Sequence, residues 1–165
     1  MSIFPAHLRE KAATLLARCT PDATTIATAE SCTGGLLSGL LTELPGASAM
    51  FTHGFITYAN RAKQEMVGVP HALLAQHGAV SEAVARAMAE GALKAARTTH
   101  AIAITGIAGP DGGSARKPVG TVHLALASRD GATTHQHKIF AGDRSEVRMQ
   151  AVEVALEMLL DAVKK

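Results

Sequence analysis

Ala23-Thr24-Thr25-Ile26-Ala27-Thr28-Ala29 runs directly into Glu30-Ser31-Cys32-Thr33-Gly34-Gly35, and then into Leu36-Leu37-Ser38-Gly39-Leu40-Leu41. The first seven residues mix small and β-branched side chains, which is the composition of a strand. Two glycines then let the backbone turn sharply. Residues 36–44 read as a helix stopped by Pro45-Gly46. Strand, tight turn and helix in that order form the unit from which layered α/β sheets are built.

Working outward, residues 8–19 carry Leu8, Ala12, Leu15 and Leu16 at helical spacing and end before Pro21. Residues 50–58 predict a second strand, and Asn60 opens a short helix over 62–67 that ends at Gly68. Ser81 is a good N-cap for a helix reaching Arg97, with Val84, Ala85, Met88, Ala92 and Ala95 on one side. Ala101-Ile102-Ala103-Ile104-Thr105 suits a strand buried on both faces. Residues 120–128 and 133–140 predict two more strands, joined through Asp130-Gly131. Asp143 and Glu146 have the spacing of a capping box for a last helix, whose stripe is Val152, Ala155, Leu156, Leu159 and Val163. The expected fold is a three-layer α/β/α sandwich with a mixed, mostly parallel sheet, in a single domain over residues 1–165.

The chain has 165 residues, 47% of them hydrophobic, which suffices for one core. Sixteen Lys and Arg against fourteen Asp and Glu leave a net charge of +2, and aromatics make up only 3%. That balance excludes a strongly basic nucleic-acid grip and leaves almost nothing on which bases stack, so no nucleic-acid partner is expected. No apolar run reaches the ~18 residues of a membrane span, so no membrane partner is expected either. His7, Arg9, Glu10 and Lys11 stand where a signal peptide needs its apolar region. Two cysteines are too few for a disulfide framework. The expected location is the cytoplasm.

Four stretches could carry chemistry. In Glu30-Ser31-Cys32-Thr33-Gly34-Gly35, backbone N–H groups at a helix start would face an anion or a developing oxyanion. A plain helix cap by Ser31 or Thr33 is an equal reading of the same residues. In Tyr58-Ala59-Asn60-Arg61-Ala62-Lys63, the only tyrosine ends a strand and Lys63 lies about one turn beyond. A buried lysine whose pKa drops from about 10.4 to roughly 7–8 serves as a base, whereas an ordinary lysine is merely solvated. Thr105-Gly106-Ile107-Ala108-Gly109-Pro110-Asp111-Gly112-Gly113 is dense in glycine after a buried strand, which suits close approach to a phosphate or ribose, or a simple connection. It matches neither nucleotide-binding glycine fingerprint. In Gly142-Asp143-Arg144-Ser145-Glu146-Val147-Arg148, the two arginines share a helix face. Arg144 at a positive helix start calls for a compensating anion, or pairs with Asp143 or Glu146. His135 and His137 share a strand face without a third ligand at zinc spacing, so no metal is expected. Cys32 as a thiol nucleophile, with His53 or His77 as base, is the alternative to Ser31.

Taken in order, Ala29-Glu30-Ser31-Cys32-Thr33-Gly34-Gly35, residues 54–63 (Gly54 to Lys63), Gly78-Ala79-Val80-Ser81 and Gly106-Ile107-Ala108-Gly109-Pro110-Asp111-Gly112-Gly113 are specific. Over about residues 8–160 the chain resembles the C-terminal domain of the CinA competence/damage-inducible family, in its stand-alone form, the nicotinamide-nucleotide amidases. The resemblance implies hydrolysis of the carboxamide of nicotinamide mononucleotide to nicotinate mononucleotide and ammonia. It implies Ser31 as nucleophile and Lys63 as general base, with Tyr58 beside them. It further implies substrate binding by Glu30, Thr33, Gly34, Gly35, Asn60, Thr105, Gly106, Gly109 and Arg144. No cofactor is expected, and a homodimer is favoured. The family often has serine where this chain has Ala59. A non-catalytic nucleotide-binding module and an amidase using Cys32 are the competing readings.

Overall fold

The computed structural model describes residues 1–163. In chain order the elements are α1 (Ala6–Cys19), β1 (Ile26–Glu30), α2 (Leu36–Thr42), β2 (Phe51–Ile56), α3 (Asn60–Val67), α4 (His71–His77), α5 (Glu82–Ala96), β3 (His100–Gly106), β4 (Thr121–Ser128), β5 (Thr134–Ile139) and α6 (Arg144–Ala162). The strands form one sheet in the order β2-β1-β3-β4-β5. Pairs β1·β2 and β1·β3 are parallel, while β3·β4 and β4·β5 are antiparallel. Four strands therefore point the same way and only β4 runs against them, as the expected mixed sheet requires.

The strands bury different side chains on their two faces. Ile26, Ile102, Ile104, Val122, Leu124 and Leu126 face a core shared with α1, α2 and α6. The alternate positions Ala27, Ala29, Ala101, Ala103, Ala125 and Ala127 face a second core under α3, α4 and α5. Period-2 alternation places them so, and the alanine face lets α5 lie close to the sheet. Its own facing residues are also mostly small: Val84, Ala85, Met88, Ala89 and Ala92. Gly91 lets α5 cross α3 closely, because a Cβ there would lie 1.7 Å from the Val67 carbonyl oxygen.

Several expected boundaries move. β1 starts at Ile26 rather than Ala23, because Ala23 sits at φ 50 and closes a short 3-10 turn over Thr20–Asp22. Its neighbour β2 stops at Ile56, which leaves Thr57 and Tyr58 beyond the ladder. α4, which the sequence reading lacked, is bounded by Pro70 and Gly78. Ala95 is exposed, and Ala89 takes its place on the buried side of α5. The capping box of Asp143 and Glu146 forms as expected. Among the described residues no helix is long and apolar enough to cross a membrane.

Candidate active site

The parallel strands β1, β2 and β3 deliver their carboxyl ends to one edge of the sheet, where ligands collect in α/β folds. There a cavity of about 290 Å³ is lined by Ser31, Cys32, Tyr58, Asn60, Lys63, Thr105, Gly106, Gly109 and Arg144, among others. A larger and more apolar groove, about 740 Å³, lies between α3 and α5, but no serine, threonine or cysteine lines it. Chemistry therefore singles out the smaller cavity.

Its floor is the pair Ser31 and Lys63. Lys63 is 1% exposed and Ser31 8%. Lys63 Nζ lies 3.0 Å from Ser31 Oγ, 2.8 Å from the Thr57 carbonyl and 3.1 Å from the Tyr58 carbonyl. Because the chain leaves β2 at Ile56, those two carbonyls are free to accept from the amine. An ammonium would donate to all three oxygens. A neutral amine would keep its two N–H bonds on the carbonyls and aim its lone pair at the serine hydroxyl. Burial favours the neutral form and lowers the Lys63 pKa from 10.5 to about 8. Cys32 lies beside the pair, 5% exposed, and burial pushes its thiol up to about 11. It is protonated, hence a poor nucleophile, at neutral pH.

Glu30 has a different place from the one expected. It is fully buried, and its carboxylate accepts from the N–H groups of Gly35 (3.1 Å), Leu37 (3.1 Å) and Ser38 (2.8 Å) and from Ser38 Oγ (2.7 Å). It caps α2 from below and does not line the cavity. Gly34 and Gly35, at φ 56 and φ 98, make the turn that brings the chain over this carboxylate. Their N–H groups are also committed, Gly34 to the Ser31 carbonyl at 3.0 Å and Gly35 to Glu30. The N–H groups of Gly34 and Gly35 are thus used internally. Among the described residues the N–H groups of Cys32 and Thr33 donate to no other residue, and that of Cys32 approaches only its own thiol. Thr33 itself is buried, and its side-chain hydroxyl has no partner among the described residues.

The rim is made by Tyr58, Asn60, Thr105, the glycine loop and Arg144. Tyr58 is 58% exposed. Arg144 donates to the Gly109 carbonyl at 2.9 Å and to the Tyr58 hydroxyl at 3.0 Å, so it pairs with neither Asp143 nor Glu146. Thr105 donates to the Ala79 carbonyl at 2.9 Å, which ties the Gly78-Ala79-Val80-Ser81 loop to the end of β3. Sequence reasoning missed Arg148. Its Nε lies 3.0 Å from the Cys32 carbonyl and its Nη2 3.1 Å from that of Thr33. The shared face with Arg144 was its only signal.

His123, His135 and His137 gather on the β4·β5 hairpin, with His123 Nδ1 2.9 Å from His135 Nε2. His123 and His137 stack in parallel, and no group among the described residues has a geometry that could hold a metal ion.

Comparison with known proteins gives a consistent set of relatives. The family described as CinA C-terminal domain matches residues 8–163. A CinA-like protein of Anaeromyxobacter sp. is 50% identical over 99% of this chain, which spans only 40% of that protein. The nicotinamide-nucleotide amidohydrolase PncC of Escherichia coli is 55% identical over 82% of this chain and 82% of its own length. A crystal structure of a competence/damage inducible protein from Agrobacterium tumefaciens superposes with TM-score 0.96, at 48% identity, over 100% of both chains.

Proposed function

The chain belongs to the CinA C-terminal domain family, and from that premise we propose that it hydrolyses the carboxamide of nicotinamide mononucleotide to nicotinate mononucleotide and ammonia. The name of the Escherichia coli relative supports the substrate and reaction. The observation that carries the chemistry is Lys63 Nζ at 3.0 Å from Ser31 Oγ, with its other bonds on two carbonyls.

In the reaction we infer, Ser31 Oγ attacks the carboxamide carbon while Lys63 takes the hydroxyl proton. The carbonyl oxygen becomes an oxyanion held by backbone N–H groups of the Ser31 turn. Collapse breaks the C–N bond, and Lys63 returns its proton to the departing nitrogen, which leaves as ammonia. Water then attacks the nicotinoyl ester, with Lys63 again taking a proton. The ester C–O bond breaks, and the proton returns to Ser31. Tyr58, Asn60, Thr105, Gly106 and Gly109 border the space for the ring and ribose, and Arg144 reads the phosphate. Glu30, Gly34 and Gly35 serve the reaction through the shape of the turn.

We further propose that residues 1–165 form one domain of a cytoplasmic enzyme. A homodimer belongs to the same proposal, and its interface would cover exposed apolar side chains such as Ile56 on the edge strand β2. Ammonia release on incubation with nicotinamide mononucleotide tests the proposal. Binding without ammonia would leave a nucleotide-binding module.

A further inference from the structure

The turn after β1 contains three consecutive peptide planes whose carbonyls are all held. The Ser31 carbonyl accepts from the Gly34 N–H at 3.0 Å, the Cys32 carbonyl from Arg148 Nε at 3.0 Å, and the Thr33 carbonyl from both Arg148 Nη2 and the Leu36 N–H at 3.1 Å. These peptides are trans, so each N–H points opposite to the carbonyl of its own plane. The Cys32 carbonyl shares its plane with the Thr33 N–H, and the Ser31 carbonyl shares its plane with the Cys32 N–H. The Thr33 carbonyl shares its plane with the Gly34 N–H, which in turn holds the Ser31 carbonyl. The guanidinium is therefore the one partner of the Cys32 carbonyl among the described residues, and it shares the Thr33 carbonyl with the Leu36 N–H.

Two of the three N–H groups donate to no other residue among the described ones: that of Thr33 has no acceptor, and that of Cys32 approaches only its own thiol. Both residues are buried, and orphaned buried N–H groups are rare. They stand next to Ser31, and Cys32 lines the cavity. Arg148 has no carboxylate partner among the described residues, so its charge is directed at the two carbonyls. A cation on a carbonyl polarises that peptide and strengthens its N–H as a donor.

We infer that Arg148 is a positioning residue that aligns the Cys32 and Thr33 N–H groups as the oxyanion hole. This rests on the serine amidase reading above. Arg148 touches neither the substrate space nor Ser31. It acts by fixing where two donors point, so it matters when the oxyanion forms and not when substrate binds.

The test compares the parent enzyme with Arg148→Met and Arg148→Lys. Ammonia release gives kcat and KM. A nucleotide analogue with an aldehyde in place of the carboxamide gives affinity for a tetrahedral adduct. In that adduct the Ser31 Oγ–C bond forms, the carbonyl electron pair moves to oxygen, and the proton passes to Lys63. Arg148→Met should lower kcat by roughly 10–100-fold, less than the ~10²–10³ for deleting a donor outright. KM should stay within about twofold, and aldehyde affinity should fall by the same factor as kcat/KM. In a Ser31→Ala background, Arg148→Met should leave the Kd of nicotinamide mononucleotide unchanged. Arg148→Lys keeps the charge but cannot span both carbonyls, and should lie between; it carries the test if Arg148→Met does not fold. Parental kcat in the variants, a loss confined to KM, or a kcat loss without weaker aldehyde binding would each overturn the inference alone. A parent protein that releases no ammonia would overturn the amidase reading, and this inference with it.

Discussion

Lys63 and Arg144 are cations on the same cavity, yet their surroundings have little in common. At the floor, Lys63 is 1% exposed and fixed on three oxygens, and burial takes its pKa down to about 8. At the rim, Arg144 is exposed and held by the Gly109 carbonyl and the phenol of Tyr58, itself 58% exposed. A fixed, desolvated amine suits proton transfer, where geometry decides the rate. An exposed guanidinium on two weak holds suits a charged group arriving from solvent. The floor should therefore govern turnover and the rim selectivity, and substitutions at each can break that division.

The largest effect should come from Ser31→Ala. Removing the proposed nucleophile should lower kcat by roughly 10⁴-fold or more, as serine hydrolases do when theirs is lost. Affinity for nicotinamide mononucleotide, measured by calorimetry, should change little. Near-parental turnover would end the serine reading.

Lys63→Arg comes next, at about 10²–10⁴-fold, the range for a general base. Arginine keeps the charge but stays protonated, so a base role predicts a loss close to that of Lys63→Ala. The parent's pH profile gives the sign. Protonated Lys63 cannot accept a proton, so kcat/KM should rise tenfold per pH unit below about 8 and level off above it. A flat profile from pH 6 to 9, or activity retained in Lys63→Arg, would reduce Lys63 to an electrostatic role.

The same division explains what could be read in the sequence. Alternation in Ala101-Ile102-Ala103-Ile104 is a local property, so β3 and its two faces were legible, as was the capping box of α6. The proposed nucleophile and base, Ser31 and Lys63, were not legible from spacing. They are 32 positions apart and meet only because β1 and β2 are parallel neighbours ending together. Their roles came from resemblance. Glu30 was misplaced because a carboxylate beside a nucleophile looks the same in sequence whether it faces substrate or the start of a helix. Its true partners, Leu37 and Ser38, lie a turn away. Arg148 was harder still, since its partners are carbonyls, which every residue possesses.

Arg144→Ala should cost about 1.5–3 kcal/mol in kcat/KM for nicotinamide mononucleotide, the range for hydrogen bonds to charged groups. Exposure of Arg144 argues for the lower end. Nicotinamide riboside, which lacks the phosphate, should lose much less if it is turned over. Equal losses on both would show that Arg144 does not read the phosphate.

Cys32 should give the smallest effect, and it tests the floor most sharply because it lies beside Ser31 and has the more nucleophilic side chain. Its burial pushes the thiol to about 11, so at pH 8 only about one molecule in a thousand carries a thiolate. Lys63 is half neutral at that pH. Cys32→Ala should then keep kcat within about threefold and cost on the order of 1 kcal/mol of stability for the lost buried sulfur. The two chemistries also differ in pH dependence. A thiolate mechanism would keep gaining rate up to about pH 11, whereas the serine–lysine pair stops gaining near 8. A folded but inactive Cys32→Ala, together with a parental profile still climbing at pH 10, would transfer the nucleophile's role from Ser31 to its neighbour.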